Sequence, residues 1–397
     1  MVSTTGYFLR ALDNERRDLI DCMLQECATP YVENEIVKIP FTHNKVLGIV
    51  VPKNRALYDY VYDLMEQRGA IIYGYVVVDG KRVPAREMML MSEDEFYRLL
   101  EKADGSFLAV KVDNEKVWIA TDWLDTRPVY YAVLDYGIVF SSCLWSILRF
   151  FKEMNHPIRL NDKAILSYIW LGRIGVIDDL TFIEDVHVAP PGSSLIYDLR
   201  TGKLYVHRYY KPHYESKISE EKEAIELVHN ALLVSIKEAI HALPEEYRRN
   251  ICVFLSGGLD SRVLAHYLSR LLDGRIRALT FGTEKSDEIP VAKKVAKKLG
   301  IPHVVDIYEL NQLADYVRDL ILLSDGFDVV SSSHVVYAMK MLVENNCRIF
   351  TDGFALDLTL GGSYLHNHPR KIRNKNEFLS YIYRKFLCSI IRSLYPL

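Results

Sequence analysis

The sequence predicts two fold classes in succession, a layered antiparallel-sheet region followed by a parallel-sheet α/β region. Three observations predict this. Strand–turn–strand units recur through the N-terminal half, with few helices between them. From Ile251 onward, apolar strand runs alternate with runs of helical spacing. Between the first such strand and its helix stands the loop Ser256-Gly257-Gly258-Leu259-Asp260-Ser261.

Taken in order, Lys45–Val51 and Gly69–Val78 are rich in Val, Ile and Tyr and read as strands. Phe107–Val112 and Val117–Thr121 flank the turn Asp113-Asn114-Glu115. Val129–Leu134 and Ile138–Phe140 flank Asp135-Tyr136-Gly137, and Ser193–Asp198 and Lys203–His207 flank Arg200-Thr201-Gly202. Successive hairpins of this kind build layered sheets. A helix is expected over Asp162–Leu171 with Asn161 as its cap. A second, over Ser219–Leu243, places Ile225, Val228, Leu232, Ile236 and Ile240 near one face.

The pattern then alternates. Ile251–Leu255 is a buried-strand run, and Val263, Leu264, Tyr267, Leu268, Leu271 and Leu272 repeat at helical spacing. Arg277–Phe281 is the next strand. Ser286 is the expected cap of a helix carrying Ala292, Val295, Ala296 and Leu299, stopped by Gly300 and Pro302. His303–Ile307 and Arg348–Thr351 are further strands. This alternation argues for parallel strands covered by helices. The change of style falls near residues 208–220, giving domains of 1–210 and 211–397.

Length agrees, since 397 residues suit two domains better than one. A content of 49% hydrophobic and 25% charged residues is ordinary for a water-exposed globular chain. A net charge of −3 gives no field that would favour nucleic acid or an anionic membrane. Six cysteines are dispersed, with no CxxC pair. Cys252 and Cys347 lie in or beside apolar runs and read as buried thiols. No basic-then-apolar leader and no bilayer-length apolar run is present, so a reducing cytoplasm is the expected setting.

The loop carries the chemistry. A strand, a tight glycine turn and a helix start aim backbone N–H groups and a positive helix end at an anion. Gly257 and Gly258 are expected to let the backbone approach a phosphate and adopt positive φ. Ser256 and Ser261 add hydroxyls. Asp260 would repel a phosphate unless a cation intervened, which makes it a candidate magnesium ligand. The Lys of a Walker A loop is missing, so the loop suits holding pyrophosphate as a leaving group.

These residues resemble the asparagine synthetase family, whose synthetase domain opens with SGGxDS after a hydrophobic strand. Thr280-Phe281-Gly282 corresponds to the strand where that family binds adenine. Gly326-Phe327-Asp328-Val329 resembles a later family segment. Thr351-Asp352-Gly353 through Gly361-Gly362-Ser363-Tyr364 resembles its SGEGSDExFGGY signature. The N-terminal half resembles the family's glutamine-hydrolysing domain. Gly105–Ala109, Thr121–Tyr131 and Phe140–Ser142 match its G-x-F-A, RDxxGxxPLYY and FxSE segments. The resemblance runs over residues 70–364.

It implies an N-terminal-nucleophile amidotransferase-like domain followed by a PP-loop, adenine nucleotide alpha hydrolase-like domain. It implies ATP and Mg2+ as cofactors, and a small carboxylate, aspartate by default, activated as an acyl-adenylate with loss of pyrophosphate. Ammonia or an amine then completes a carbon–nitrogen ligase reaction. The implied nucleotide-binding set is Leu255, Ser256, Gly257, Gly258, Leu259, Asp260, Ser261, Phe281, Gly282, Asp352 and Gly353. Asp260 and Asp357 are the implied catalytic, metal-holding carboxylates.

The chain also departs from the family. It begins Met1-Val2-Ser3-Thr4-Thr5, without the cysteine that the family's glutaminase uses, and the NGE segment is not recognisable. Glutaminase activity is therefore expected to be absent. Phe354 stands at an acidic position of the signature, and Leu358 replaces the Glu after Asp357. The family runs on past the signature into a lysine-bearing helical region, whereas this chain ends at Leu397, with Lys371, Lys375 and Lys385 available. A nucleotide-binding protein without ligase activity is the alternative reading. A homo-oligomer and a separate partner subunit both remain open.

Overall fold

The computed structural model describes residues 3–9, 19–27, 34–42, 45–52, 58–171, 178–213, 218, 220–328 and 332–353. Asp357 lies outside the described residues, as do Val329, Phe354, Leu358, residues 361–364 and the three C-terminal lysines.

Two antiparallel sheets form from the N-terminal half. The first contains β1 (Ser3–Leu9), β2 (Asn34–Thr42), β3 (Lys45–Pro52), β9 (Tyr130–Leu134), β10 (Gly137–Ser141) and β11 (His187–Val188). Their order is β11-β9-β10-β1-β3-β2. The second contains β4 (Tyr58–Asp63), β5 (Arg68–Val78), β6 (Lys81–Arg82), β7 (Asp104–Val112), β8 (Lys116–Thr121), β12 (Ser193–Asp198) and β13 (Leu204–Arg208). Its main path is β13-β12-β8-β7-β5-β4, with β6 on β5.

Strand alternation explains how the sheets stack. Phe8, Leu47 and Ile49 of the first sheet pack against Ile71, Val110 and Ile119 of the second, forming one core between them. The residues between these face outward and are covered as well. Tyr7, Val46, Val50 and Val139 pack under α1 (Leu19–Cys27) and α4 (Leu144–Glu153). Ile72, Phe107, Ala109 and Trp118 pack under α2 (Ala85–Leu90) and α3 (Glu93–Lys102). The result is four layers, helix–sheet–sheet–helix, where the sequence suggested sheets with few helices. The omitted helices have 6 to 10 residues each.

The hairpins form as expected. In the β7–β8 turn, the Asp113 carboxylate accepts from Glu115 N and Lys116 N, each at 2.8 Å. The Thr121–Arg127 segment forms a corner organised by Asp122. That buried carboxylate accepts from the backbone N–H groups of Phe107 at 3.0 Å, Leu124 at 2.9 Å and Thr126 at 3.2 Å. Helix α5 (Asp162–Leu171) begins where expected, with Ala164 N donating to Asn161 Oδ1.

Gly74 is the tightest position in the sandwich. Its φ is +103°, and a Cβ there would stand 1.9 Å from the carbonyl oxygen of Ser106 on β7. Both strain and collision oppose any side chain. Gly74→Ala is expected to destabilise the protein by about 3 kcal/mol or more, measured by urea unfolding. A loss under about 1 kcal/mol would show that β5 and β7 can part without cost.

The second region is α/β. After α6 (Glu221–Ala242) come β14 (Ile251–Phe254), α7 (Leu259–Leu271), β15 (Ile276–Gly282), α8 (Glu288–Leu299), β16 (His303–Ile307), α9 (Val317–Leu323), α10 (Ser333–Glu344) and β17 (Ile349–Thr351). The four strands are parallel, in the order β16-β15-β14-β17. Ile251, Val253 and Leu255 face a core shared with α6, α7 and α8. Cys252 and Phe254 face the opposite core with Met341 and Leu342 of α10. Gly300 ends α8 with φ +67°, but Ser286 is not the cap: Asp287 holds that position, with no side-chain cap bond.

Two further expectations are corrected. Cys252 and Cys347 are not thiols but are joined in a disulfide, with Cα atoms 5.9 Å apart. The argument for a reducing compartment loses that support. Gly257 and Gly258 do not adopt positive φ.

A short segment after α9 plugs into the sandwich. Asp325 has φ +53° and accepts from Leu144 N, the first residue of α4, at 2.9 Å. Trp145 Nε1 donates to Leu322 O at 3.0 Å. The Phe327 ring stacks on Phe182 with centroids 4.5 Å apart.

Candidate functional site

The loop after β14 and the ends of β15 and β17 meet around one cavity of about 670 Å³. It lies beyond the carboxyl ends of parallel strands, where open α/β sheets place ligands. Of the expected residues, Leu255, Ser256, Gly258, Asp260, Ser261, Phe281, Gly282, Asp352 and Gly353 line it. Gly257 and Leu259 belong to the loop but not to the lining, and Leu259 is largely exposed.

The loop is held by its own side chains. The backbone N–H of Ser256 donates to Ser261 Oγ at 3.0 Å, and Gly258 N donates to Ser256 Oγ at 3.1 Å. The two hydroxyl oxygens are 3.0 Å apart. Ser261 is buried, so its hydroxyl shapes the turn rather than reaching outward. The glycines serve close approach. A Cβ on Gly257 would lie 3.1 Å from Glu288 Cα, and one on Gly353 would lie 2.8 Å from Asp260 Cβ. Gly353 therefore rests directly on the first turn of α7.

Behind the loop, the Thr280 hydroxyl donates to Leu255 O at 2.5 Å. Its oxygen then accepts from His303 Nε2 at 2.7 Å, which fixes the Nε2–H tautomer. Burial, aided by Lys293, lowers the His303 pKa, so the neutral ring is favoured. This bond joins β16 through β15 to the end of β14.

One wall is aromatic. Phe281 has Tyr308 at 6.4 Å and His334 at 6.2 Å between ring centroids. Tyr308, His334, Ala338 and Met339 line the cavity, yet none was singled out in the sequence. Tyr308 follows β16 and the others lie on α10, and only the parallel topology brings them beside β15. Glu288 and Asp352 add acidic groups to the Asp260 side.

Among the described residues, no group of three or more His, Cys, Asp or Glu converges as a metal site. Magnesium bound with phosphates needs only one or two protein carboxylates. Asp260, on the lining at the helix start, fits that smaller requirement.

In the sandwich, Thr4 is buried within β1. Its N–H donates to Ser142 Oγ at 3.1 Å, and its carbonyl accepts from Ser142 N at 3.0 Å.

Fold and site together define a parallel α/β domain, with a cavity at the carboxyl ends of its strands, attached to a four-layer sandwich. The asparagine synthase family model matches residues 235–394. Over the whole chain, the similarity is to the asparagine synthetases, at modest identity. The chain is 26% identical over 298 residues to the probable glutamine-hydrolysing asparagine synthetase of Acanthamoeba polyphaga mimivirus, covering 71% of this chain and 49% of that protein. Against the glutamine-hydrolysing asparagine synthetase of Rattus norvegicus it is 24% identical over 349 residues, covering 84% and 58%. The chain thus spans about half the length of the curated relatives it matches. Among solved structures it is similar to the glutamine phosphoribosylpyrophosphate amidotransferase of B. subtilis, with TM-score 0.36, 11% identity, and 79% and 70% of the two chains covered. Among the described residues, no helix is long and apolar enough to cross a membrane.

Proposed function

We propose that this chain is an ATP-dependent carbon–nitrogen ligase that activates a small carboxylate as an acyl-adenylate and passes it to ammonia or an amine. The observation carrying this reading is the single cavity on which the Ser256–Ser261 loop, Phe281–Gly282 and Asp352–Gly353 converge. The working division is 1–210 for the sandwich and 211–397 for the ligase domain.

In this reading Phe281 and Gly282 take the purine, and the start of α7 faces the phosphates. A substrate carboxylate oxygen bonds to the α-phosphorus while the bond from that phosphorus to the bridging oxygen breaks, releasing pyrophosphate. The backbone N–H groups at the start of α7 oppose the charge that grows on the departing group. Magnesium, held by Asp260 together with phosphate oxygens, would neutralise part of that charge when bound. The nitrogen nucleophile then displaces AMP from the acyl carbon. Asp357 is the proposed second carboxylate. Aspartate is the default acyl substrate.

The sandwich is read as support rather than as a glutaminase. ATP–pyrophosphate exchange over a panel of carboxylates, with and without magnesium, tests the proposal. Magnesium-dependent exchange that requires one acid is expected. Tight ATP binding with no exchange for any acid would overturn the ligase reading and leave a nucleotide-binding protein.

A further inference from the structure

Among the described residues, β17 is an edge strand of the parallel sheet and its shortest. It has 3 residues against 4, 7 and 5 in β14, β15 and β16. Among the described residues it pairs with β14 alone, Ile251, Cys252 and Val253 lying beside Ile349, Phe350 and Thr351. Its apolar anchors are Ile349, half-buried against the α6–α8 core, and Phe350, which is 41% exposed and meets the Phe254 ring edge-on. Yet β17 leads straight into Asp352 and Gly353, which form one wall of the cavity. The opposite approach to β17 comes from α10, which supplies His334, Ala338 and Met339 to the same cavity.

The Cys252–Cys347 disulfide sits at the junction of all three elements. Cys252 is 3% exposed in the middle of β14, on the face toward α10. Cys347 lies in the turn between α10 and β17, its N–H donating to Leu342 O at 2.9 Å. The bond therefore ties the strand that carries the phosphate loop to two other walls of the site. It closes a sequence separation of 95 residues, a long loop whose opening gives the chain much freedom. Cys22, Cys27 and Cys143 belong to the sandwich, away from this cavity.

We propose that the Cys252–Cys347 disulfide is a redox clasp on the cavity: bonded, it holds β17 and Gly353 against α7; reduced, it releases them and nucleotide affinity falls. This rests on the nucleotide reading of the cavity. The reductant is a dithiol. One of its thiolates attacks Cys347 Sγ, the S–S bond breaks, and Cys252 Sγ leaves with the electron pair and takes a proton. The second thiolate of the reductant attacks the mixed disulfide, freeing Cys347 as a thiol. Two electrons pass to the protein and the reductant ends as a disulfide.

The test poises the full chain in mixtures of reduced and oxidised dithiothreitol. ATP affinity is measured by calorimetry, and the bonded fraction by mass spectrometry of the peptides holding Cys252 and Cys347. A fall in affinity of at least tenfold on reduction is expected, with its midpoint at the potential where the bond opens. Amide hydrogen exchange in β17 should quicken across the same range. The C252S/C347S double variant should sit at the low affinity and ignore the reductant. If that variant does not fold, the reduced wild-type protein gives the same comparison. Equal affinity in the two states with the bond shown to be open overturns the clasp alone. Recovery of both cysteines as free thiols from unreduced protein overturns it too. Failure to bind ATP in either state overturns the nucleotide reading and the clasp with it.

Discussion

Replacing Asp260 with Asn is expected to lower ATP–pyrophosphate exchange by at least about a hundredfold while the fold survives. Asp260 is the second residue of α7 and lines the cavity beside Gly353. Asn keeps the size of the side chain and its oxygen acceptor but removes the charge. The structural cost is limited to losing a favourable carboxylate in the first helical turn, worth about 0.3–1 kcal/mol. The chemical cost is much larger, because the neutral amide would hold magnesium poorly and the charge growing on the pyrophosphate would lose the cation that offsets it. Exchange measured across a magnesium titration, with thermal unfolding as the control, separates the two effects. Activity within threefold of wild type at every magnesium concentration would remove Asp260 from the proposed metal site.

The loop was legible because each of its parts has a local cause. Ile251–Leu255 is a continuous apolar run, the glycines break it, and the 3.6-residue period starts at once in Val263, Leu264 and Tyr267. The hairpins were legible for the same kind of reason, since Asp113 and its two turn N–H groups decide that turn without help from elsewhere. What lies beyond local causes was missed. His334 reaches the cavity only because α10 packs over β15. The positive φ expected of the loop glycines is not adopted. Gly257 makes room for Glu288, and Gly353, rather than Gly258, is the glycine pressed against Asp260.

The cysteines show the limit most clearly. Cys252 alternates with Ile251 and Val253 and faces α10, which reads equally well as a buried thiol. Nothing in the sequence between them announces Cys347, 95 positions on, as its partner. Only β14–β17 pairing, together with the return of the chain from α10, brings the two sulfurs together. The strands β1, β2 and β4 were likewise missed. They are held by their neighbours in the sheets more than by their own sequence pattern.

Asp325 gives the chain a second large expected effect, on stability rather than catalysis. Helix α4 begins at Leu144 after Cys143, whose side chain makes no cap bond. The missing acceptor is Asp325 from the other fold region, 181 positions away, taking the Leu144 N–H at 2.9 Å. A carboxylate is electrostatically welcome at a helix start. Burial works against the charge, however, and Asp325 is only 5% exposed. Burial wins: despite the Leu144 N–H, the Tyr130 hydroxyl, the Trp145 N–H and the Cys143 thiol, the pKa of Asp325 is pushed up to about 7. Its ordinary value is 3.8, so the folded protein holds a proton that the unfolded chain releases. The stabilisation is therefore complete below the unfolded pKa and is lost as pH rises through the folded one. Between pH 5 and pH 8 this amounts to about 2–3 kcal/mol, at 1.36 kcal/mol per unit. Asp125, also pushed up to about 7 by burial and by Asp122, contributes with the same sign. Asn at 325 keeps the acceptor for Leu144 and cannot ionise. In urea unfolding followed by tryptophan fluorescence, Asp325→Asn should therefore show a shallower loss of stability from pH 5 to pH 8 than wild type. It should match or exceed the wild type at pH 8, and Asp125→Asn should flatten what remains. A variant whose stability falls with pH as steeply as the wild type would show that the Asp325 carboxylate is ionised throughout, with the helix start and Tyr130 outweighing burial.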